Sequence, residues 1–125
     1  MRSSPGSRRA VLFLALLWAG SALAGNAGAA EPADPELLAA GKAIAFDRRK
    51  GNCLACHIVA DGELAGNVAP PLITMQARYP EKAKLRAQIW DATVANPNTM
   101  MPPFGRHGIL SEEEIDKVTE YIYSL

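Results

Sequence analysis

Only two cysteines and two histidines occur in the 125 residues, and aromatic side chains make up 6% of them. With Cys53 and Cys56 alone, at most one very short loop can be closed, which excludes a scaffold held together by disulfides. A structural zinc site needs further Cys/His ligands at suitable spacing, and only His107 is available beyond the cluster at 53–57. No alternation of apolar and polar residues marks a strand, and no segment repeats. A chain this short forms one small domain and buries only a modest share of its surface. Something besides disulfides must therefore complete its core.

Acidic residues are absent from the first 30 positions, whereas Arg2, Arg8 and Arg9 fall there. An uncharged apolar run from Ala10 to about Ala19 follows, then small residues around Ala22-Leu23-Ala24. This order reads as a secretory signal peptide over residues 1–24, with a second cleavage pattern at Ala27-Gly28-Ala29 that places the cut as late as 29. A retained anchor is the alternative, but the run is short for a bilayer. Ser7-Arg8-Arg9 resembles a twin-arginine signal, although attachment chemistry at exposed cysteines favours general export of an unfolded chain. The expected location is the periplasm, with no membrane span in the mature chain. The full chain balances 13 basic against 13 acidic residues; losing three arginines leaves 10 − 13 = −3. That charge gives no reason to expect nucleic acid as a partner. Basic clusters at Arg48-Arg49-Lys50 and at Arg78, Lys82, Lys84 and Arg86, and acids at 112–120, read as solvated faces or docking surfaces.

After a flexible segment at 25–34, residues 35–125 should form an all-α domain of three to four helices with long loops. Asp34 caps a helix from Pro35 to about Arg49, with Gly41 inside it. Residues 51–76 read as irregular loop. Leu85, Ile89 and Ala92 mark a helix over 81–95, ended by Asn96-Pro97. Asn98 to Gly108 is a loop rich in Pro and Gly. Ser111 and Glu114 make a capping box for a last helix with the stripe Ile115, Val118, Tyr121 and Ile122.

The chemistry sits at Gly51-Asn52-Cys53-Leu54-Ala55-Cys56-His57, the CxxCH spacing of c-type haem attachment. Two thiols separated by two residues add to the two vinyl groups of one haem, and the adjacent His57 is placed as an axial ligand. A disulfide would leave His57 unexplained, and a thioredoxin-like pair would need a sheet. For the sixth position, Thr99-Met100-Met101-Pro102-Pro103-Phe104-Gly105 offers soft thioether sulfur between two helices. Met75 and His107 are weaker candidates, and spacing does not choose between Met100 and Met101. Around Gly66-Asn67-Val68-Ala69-Pro70-Pro71-Leu72, a rigid loop can present a carbonyl to the second nitrogen of His57 or can simply be rigid.

Together these features resemble class I cytochromes c over essentially the whole mature chain. The resemblance selects Met101, directly before proline, as axial ligand with His57, and Cys53 and Cys56 as attachment sites for one covalent haem c. It assigns Pro70 the histidine-orienting carbonyl, and Gly41 and Tyr121 a contact between the terminal helices. Ala69 in place of the usual glycine, and Phe46 five rather than four residues after Gly41, depart from the pattern. More narrowly, Gly51 to His57, Gly66-Asn67 with Pro70-Pro71-Leu72, Asn96-Pro97, Met101 to Gly105 and the ending Tyr121 to Leu125 resemble the SoxX-type monohaem subunits of sulfur-oxidising SoxAX cytochromes. That resemblance implies a heterodimer with a SoxA-type cytochrome subunit and L-cysteine S-thiosulfotransferase activity, which couples thiosulfate to a carrier-protein cysteine. It also implies transient contact with that thiol carrier and with an electron-accepting cytochrome. Because haem consumes both cysteines, this chain has no thiol nucleophile and is expected to relay electrons rather than catalyse. The alternative is a free-standing periplasmic electron shuttle. Phe104 and Met100 are the expected apolar centre of a docking surface.

Overall fold

The computed structural model describes residues 33–125, so the signal-peptide reading and most of the 25–34 segment lie outside the described residues. Four α-helices occur in this span: α1 Pro35–Phe46, α2 Met75–Arg78, α3 Lys82–Trp90 and α4 Glu112–Tyr123. Two 3₁₀ turns, at Cys53–Ala55 and Ala92–Val94, complete the regular structure, and no strand is present among the described residues. None of the described helices is long and apolar enough to cross a membrane.

Local chemistry sets the helix ends. Asp34 Oδ1 accepts the Glu36 amide at 2.9 Å, and Pro35 follows at the first position, where its missing N–H costs nothing. α1 stops at Phe46 rather than Arg49, because Asp47 Oδ1 turns to accept the Arg49 amide at 2.8 Å and Asn52 adopts a left-handed conformation. α4 begins with the reciprocal capping box: Ser111 Oγ accepts the Glu114 amide at 3.2 Å while Glu114 Oε2 accepts the Ser111 amide at 3.0 Å. α3 is shorter than its apolar spacing predicts. Asp91 ends it by accepting the Thr93 amide at 3.0 Å, which opens the following 3₁₀ turn.

α1 and α4 form the main helix pair, with α3 on another side of α4. At the crossing, a Cβ on Gly41 would lie 2.1 Å from the Lys117 carbonyl oxygen and 2.9 Å from Tyr121 Cβ. Only glycine lets the two backbones meet there. Phe46 also reaches this contact, edge-on to Tyr121 with ring centroids 6.0 Å apart, so the altered spacing after Gly41 does not break it. The apolar stripe of α4 is buried, Ile115 completely, and packs toward Leu85 and Ile89 of α3 and the loop residues Phe104 and Leu110.

The charge clusters largely answer each other. Lys82 pairs with Glu120, Arg86 with Asp116 and Glu112, and Lys50 with Glu114, tying α3 and the 47–51 turn to the acidic helix. Each exposed pair contributes little alone. Their effect is to cancel what the sequence presents as separate basic and acidic faces.

Candidate functional site

The cysteine motif is positioned by the turn that leaves α1. The Gly51 amide donates to the Ile44 carbonyl at 3.1 Å and the Asn52 amide to the Asp47 carbonyl at 3.0 Å. A single 3₁₀ turn then carries Cys53, and the Cys56 and His57 amides both donate back to the Cys53 carbonyl, at 3.2 and 2.9 Å. Both thiols and the imidazole thereby line one cavity. The two cysteines are not bonded to each other. Before attachment, burial pushes the Cys53 thiol up to about 11, so it is uncharged at neutral pH.

The following loop folds back along the motif. Gly66 donates to Leu54 at 2.7 Å, Ala69 to Cys56 at 3.1 Å and Leu72 to Ile58 at 2.9 Å. Ala69 keeps a negative φ, so the position does not require the glycine that the family pattern leads one to expect. This alignment brings the Pro70 carbonyl to 2.7 Å from His57 Nδ1. A carbonyl can only accept, so Nδ1 carries the proton and Nε2 keeps its lone pair for a metal. The rigid proline loop therefore fixes both the tautomer and the ring.

Asp61 ties the same loop to the helix pair, pairing with Lys42 of α1 and accepting the Tyr121 hydroxyl of α4 at 3.1 Å. The Lys42 hydrogen bond holds the Asp61 carboxyl below its ordinary range. Burial, reinforced by Asp61, raises the Tyr121 phenol, which stays protonated as the donor. Sequence reasoning missed this tether because its members are 19 and 60 residues apart.

Met101 is half-buried and lines the same cavity, with its amide donated to Thr99 Oγ1 at 3.1 Å. Met100 is 80% exposed and borders the same cavity. Met75 also lines the cavity but is only 2% exposed; it fills the core, and its sulfur accepts from Arg78 Nη1 at 3.3 Å. His107 is exposed and does not line the cavity. The expectation that Phe104 centres a docking surface is corrected: it is 7% exposed, and its carbonyl receives the Ile109 and Leu110 amides. Its ring belongs to the core, while Met100 and Val68 form the exposed apolar rim.

The cavity measures about 660 Å³, with buried Leu72, Leu85, Leu110, Val118 and Ile122 among its lining. Two thiols, an imidazole with one committed nitrogen, a thioether and apolar walls are the chemistry a covalent haem needs. The residues present fit that group.

Residues 38–125 match the family model for cytochrome c. The chain belongs to the cytochrome c family and carries one covalently attached haem c, with Cys53, Cys56 and His57 forming the CxxCH motif. Its structure is similar to a chain in the crystal structure of SoxXA from P. pantotrophus, with a TM-score of 0.63 and 28% identity over 76% of this chain and 83% of that one. Family and likeness together support a SoxX-type cytochrome. An uncharacterized lipoprotein of Aquifex aeolicus (strain VF5) is 32% identical over 76 residues, which are 60% of this chain. The chain spans 37% of that lipoprotein's length.

Proposed function

We propose that this chain is the monohaem electron-relay subunit of a SoxAX-type complex, exported to the periplasm after removal of residues 1–24. The observation that carries the reading is the convergence on one cavity of Cys53, Cys56, a tautomer-fixed His57 and Met101. In this reading His57 Nε2 and Met101 Sδ would hold the haem iron. Haem, when bound, would supply one-electron exchange between ferric and ferrous iron, and a thioether ligand together with histidine would raise its potential. Pro70 holds His57 in its ligating orientation. The α1–α4 interlock and the Asp61 tether keep the cysteine turn in place.

The reaction of the complex joins a carrier thiol to the outer sulfur of thiosulfate: one S–H bond breaks, one S–S bond forms, and a proton and two electrons leave. This chain provides neither sulfur nucleophile nor two-electron capacity, so the coupling belongs to the SoxA-type partner. Electrons then pass through this subunit singly toward an accepting cytochrome. Arg48 and Arg49, exposed at the cavity rim, also favour a second reading, a shuttle guided to brief encounters by charge.

Purification from the native periplasm separates the two. A second cytochrome should co-elute, and thiosulfate with the carrier protein should reduce the haem only when that partner is present. A monomer that binds no second cytochrome would leave the shuttle reading.

A further inference from the structure

The loop that carries Met101 has an unusual problem of attachment. Pro102 and Pro103 have no N–H, so the stretch beside the methionine offers no backbone donor, although the Pro103 carbonyl accepts the His107 amide at 3.0 Å. Its position is decided at its ends. On the leading side, the Thr99 amide donates to the Asn96 carbonyl at 3.0 Å, and Thr99 Oγ1 receives the Met101 amide. On the far side, the Trp90 carbonyl at the end of α3 accepts both the Gly105 amide at 3.1 Å and the Arg106 amide at 3.4 Å. A terminal helix carbonyl lacks its usual partner, and here the loop supplies it.

Two side-chain contacts reinforce that far end. The Trp90 ring lies against Gly105 so closely that a Cβ there would fall 2.1 Å from a ring carbon. Arg106 Nη1 sits 3.3 Å from Asp91 Oδ2 and 3.4 Å from Thr93 Oγ1. Asp91 is already fixed by the Thr93 amide and hydroxyl through its other oxygen, and its side chain is only 11% exposed, against 60% for Arg106. One partner is held by Thr93 and nearly buried, and the other is on the loop that carries Met101.

We infer that Asp91 and Arg106 form a latch that holds the methionine loop over the cavity, acting as positioning residues for Met101; this rests on the Met101 ligation proposed above. Lifting Met101 outward carries Arg106 away from Asp91 and strips a nearly buried carboxylate of its cationic partner, which opposes the motion. The pair touches neither the cysteine turn nor His57. It should therefore govern how readily the sixth position opens, without altering haem attachment.

The test uses haem-loaded ferric protein and imidazole as a competing ligand, at concentrations where loop opening limits the rate. Loss of the near-infrared sulfur-to-iron band follows the exchange. Arg106→Ala and Asp91→Asn should each accelerate exchange about three- to tenfold, as expected for losing a partly exposed ion pair whose carboxylate is nearly buried. Arg106→Lys should fall between them and the parent. Lys82→Ala, which breaks another α3 ion pair, with Glu120 and away from this loop, should leave the exchange rate unchanged. Rates within about twofold of the parent in both Arg106→Ala and Asp91→Asn would overturn the latch, since the expected gain lies above that range. So would equal acceleration by Lys82→Ala, because the gain would then follow the loss of any ion pair on α3. If the near-infrared band is absent from the parent or survives Met101→Ala, the ligand assignment itself falls, and the latch with it.

Discussion

Replacing Gly41 with alanine is the sharpest perturbation of the frame that holds the haem site. The new methyl would meet the Lys117 carbonyl oxygen at 2.1 Å and its carbon at 2.8 Å, both backbone atoms of α4. Ordinary carbon contacts begin near 3.5 Å, so the helices must separate by about 1 Å or more. Overpacking of this kind costs about 1–3 kcal/mol, and the offending atoms cannot turn aside as a flexible side chain would. Helix propensity works the other way, since alanine within a helix is favoured over glycine by roughly 1 kcal/mol. Separation also loosens the Phe46–Tyr121 contact and the Tyr121–Asp61 bond, which places the net loss at about 2 kcal/mol. For a domain of this size, guanidinium slopes of roughly 3–5 kcal/mol/M convert that loss into a midpoint lower by about 0.5 M. Equilibrium unfolding of the haem-loaded protein, followed by far-ultraviolet circular dichroism, reads the shift. An unchanged or higher midpoint would show that propensity outweighs the contact and that α1 and α4 are not interlocked at Gly41.

Ser111→Ala removes the hydroxyl that accepts the Glu114 amide and should destabilise the domain by about 1 kcal/mol, measured in the same denaturation. The Lys50 hydrogen bond holds the Glu114 carboxyl below its ordinary 4.5 in the folded chain; the unfolded chain therefore binds more protons in that range, and stability is lost as pH falls through and below it. Glu114→Gln should flatten this acid limb, read as the difference between the two denaturation midpoints across pH 6 to 3, and parallel curves would contradict the sign. Mass spectrometry of the denatured mature protein should show one added haem that acid-acetone does not extract, with an N-terminus at Gly25 or as late as Ala30.

What could be read beforehand was local. The capping box, the Asp34 cap and the CxxCH turn depend on residues within a few positions of one another, and the structure places them as their chemistry requires. The Pro70 carbonyl needs only a rigid loop to meet His57. The unread features are tertiary. α2 has four residues and no pattern of its own; it forms where the Met75 amide reaches the carbonyl of Leu125 and Met75 fills the core. Phe104 sits in a Pro-rich loop without helical period, so nothing in its neighbours distinguishes a core residue from an exposed one. Asp91 and Arg106 are joined only because the loop returns to the end of α3, although Asp-x-Thr at 91–93 is a readable turn signal.

Near-infrared absorption of the ferric protein, recorded for the parent, Met100→Ala and Met101→Ala, tests the site most directly. Met101 lines the cavity half-buried with its amide anchored at Thr99, whereas Met100 is largely exposed. The sulfur-to-iron band should be present in the parent, persist in Met100→Ala and vanish in Met101→Ala, with a lower reduction potential. A band that survives Met101→Ala, or disappears with Met100→Ala, would contradict the assignment of His57 and Met101 as the axial pair.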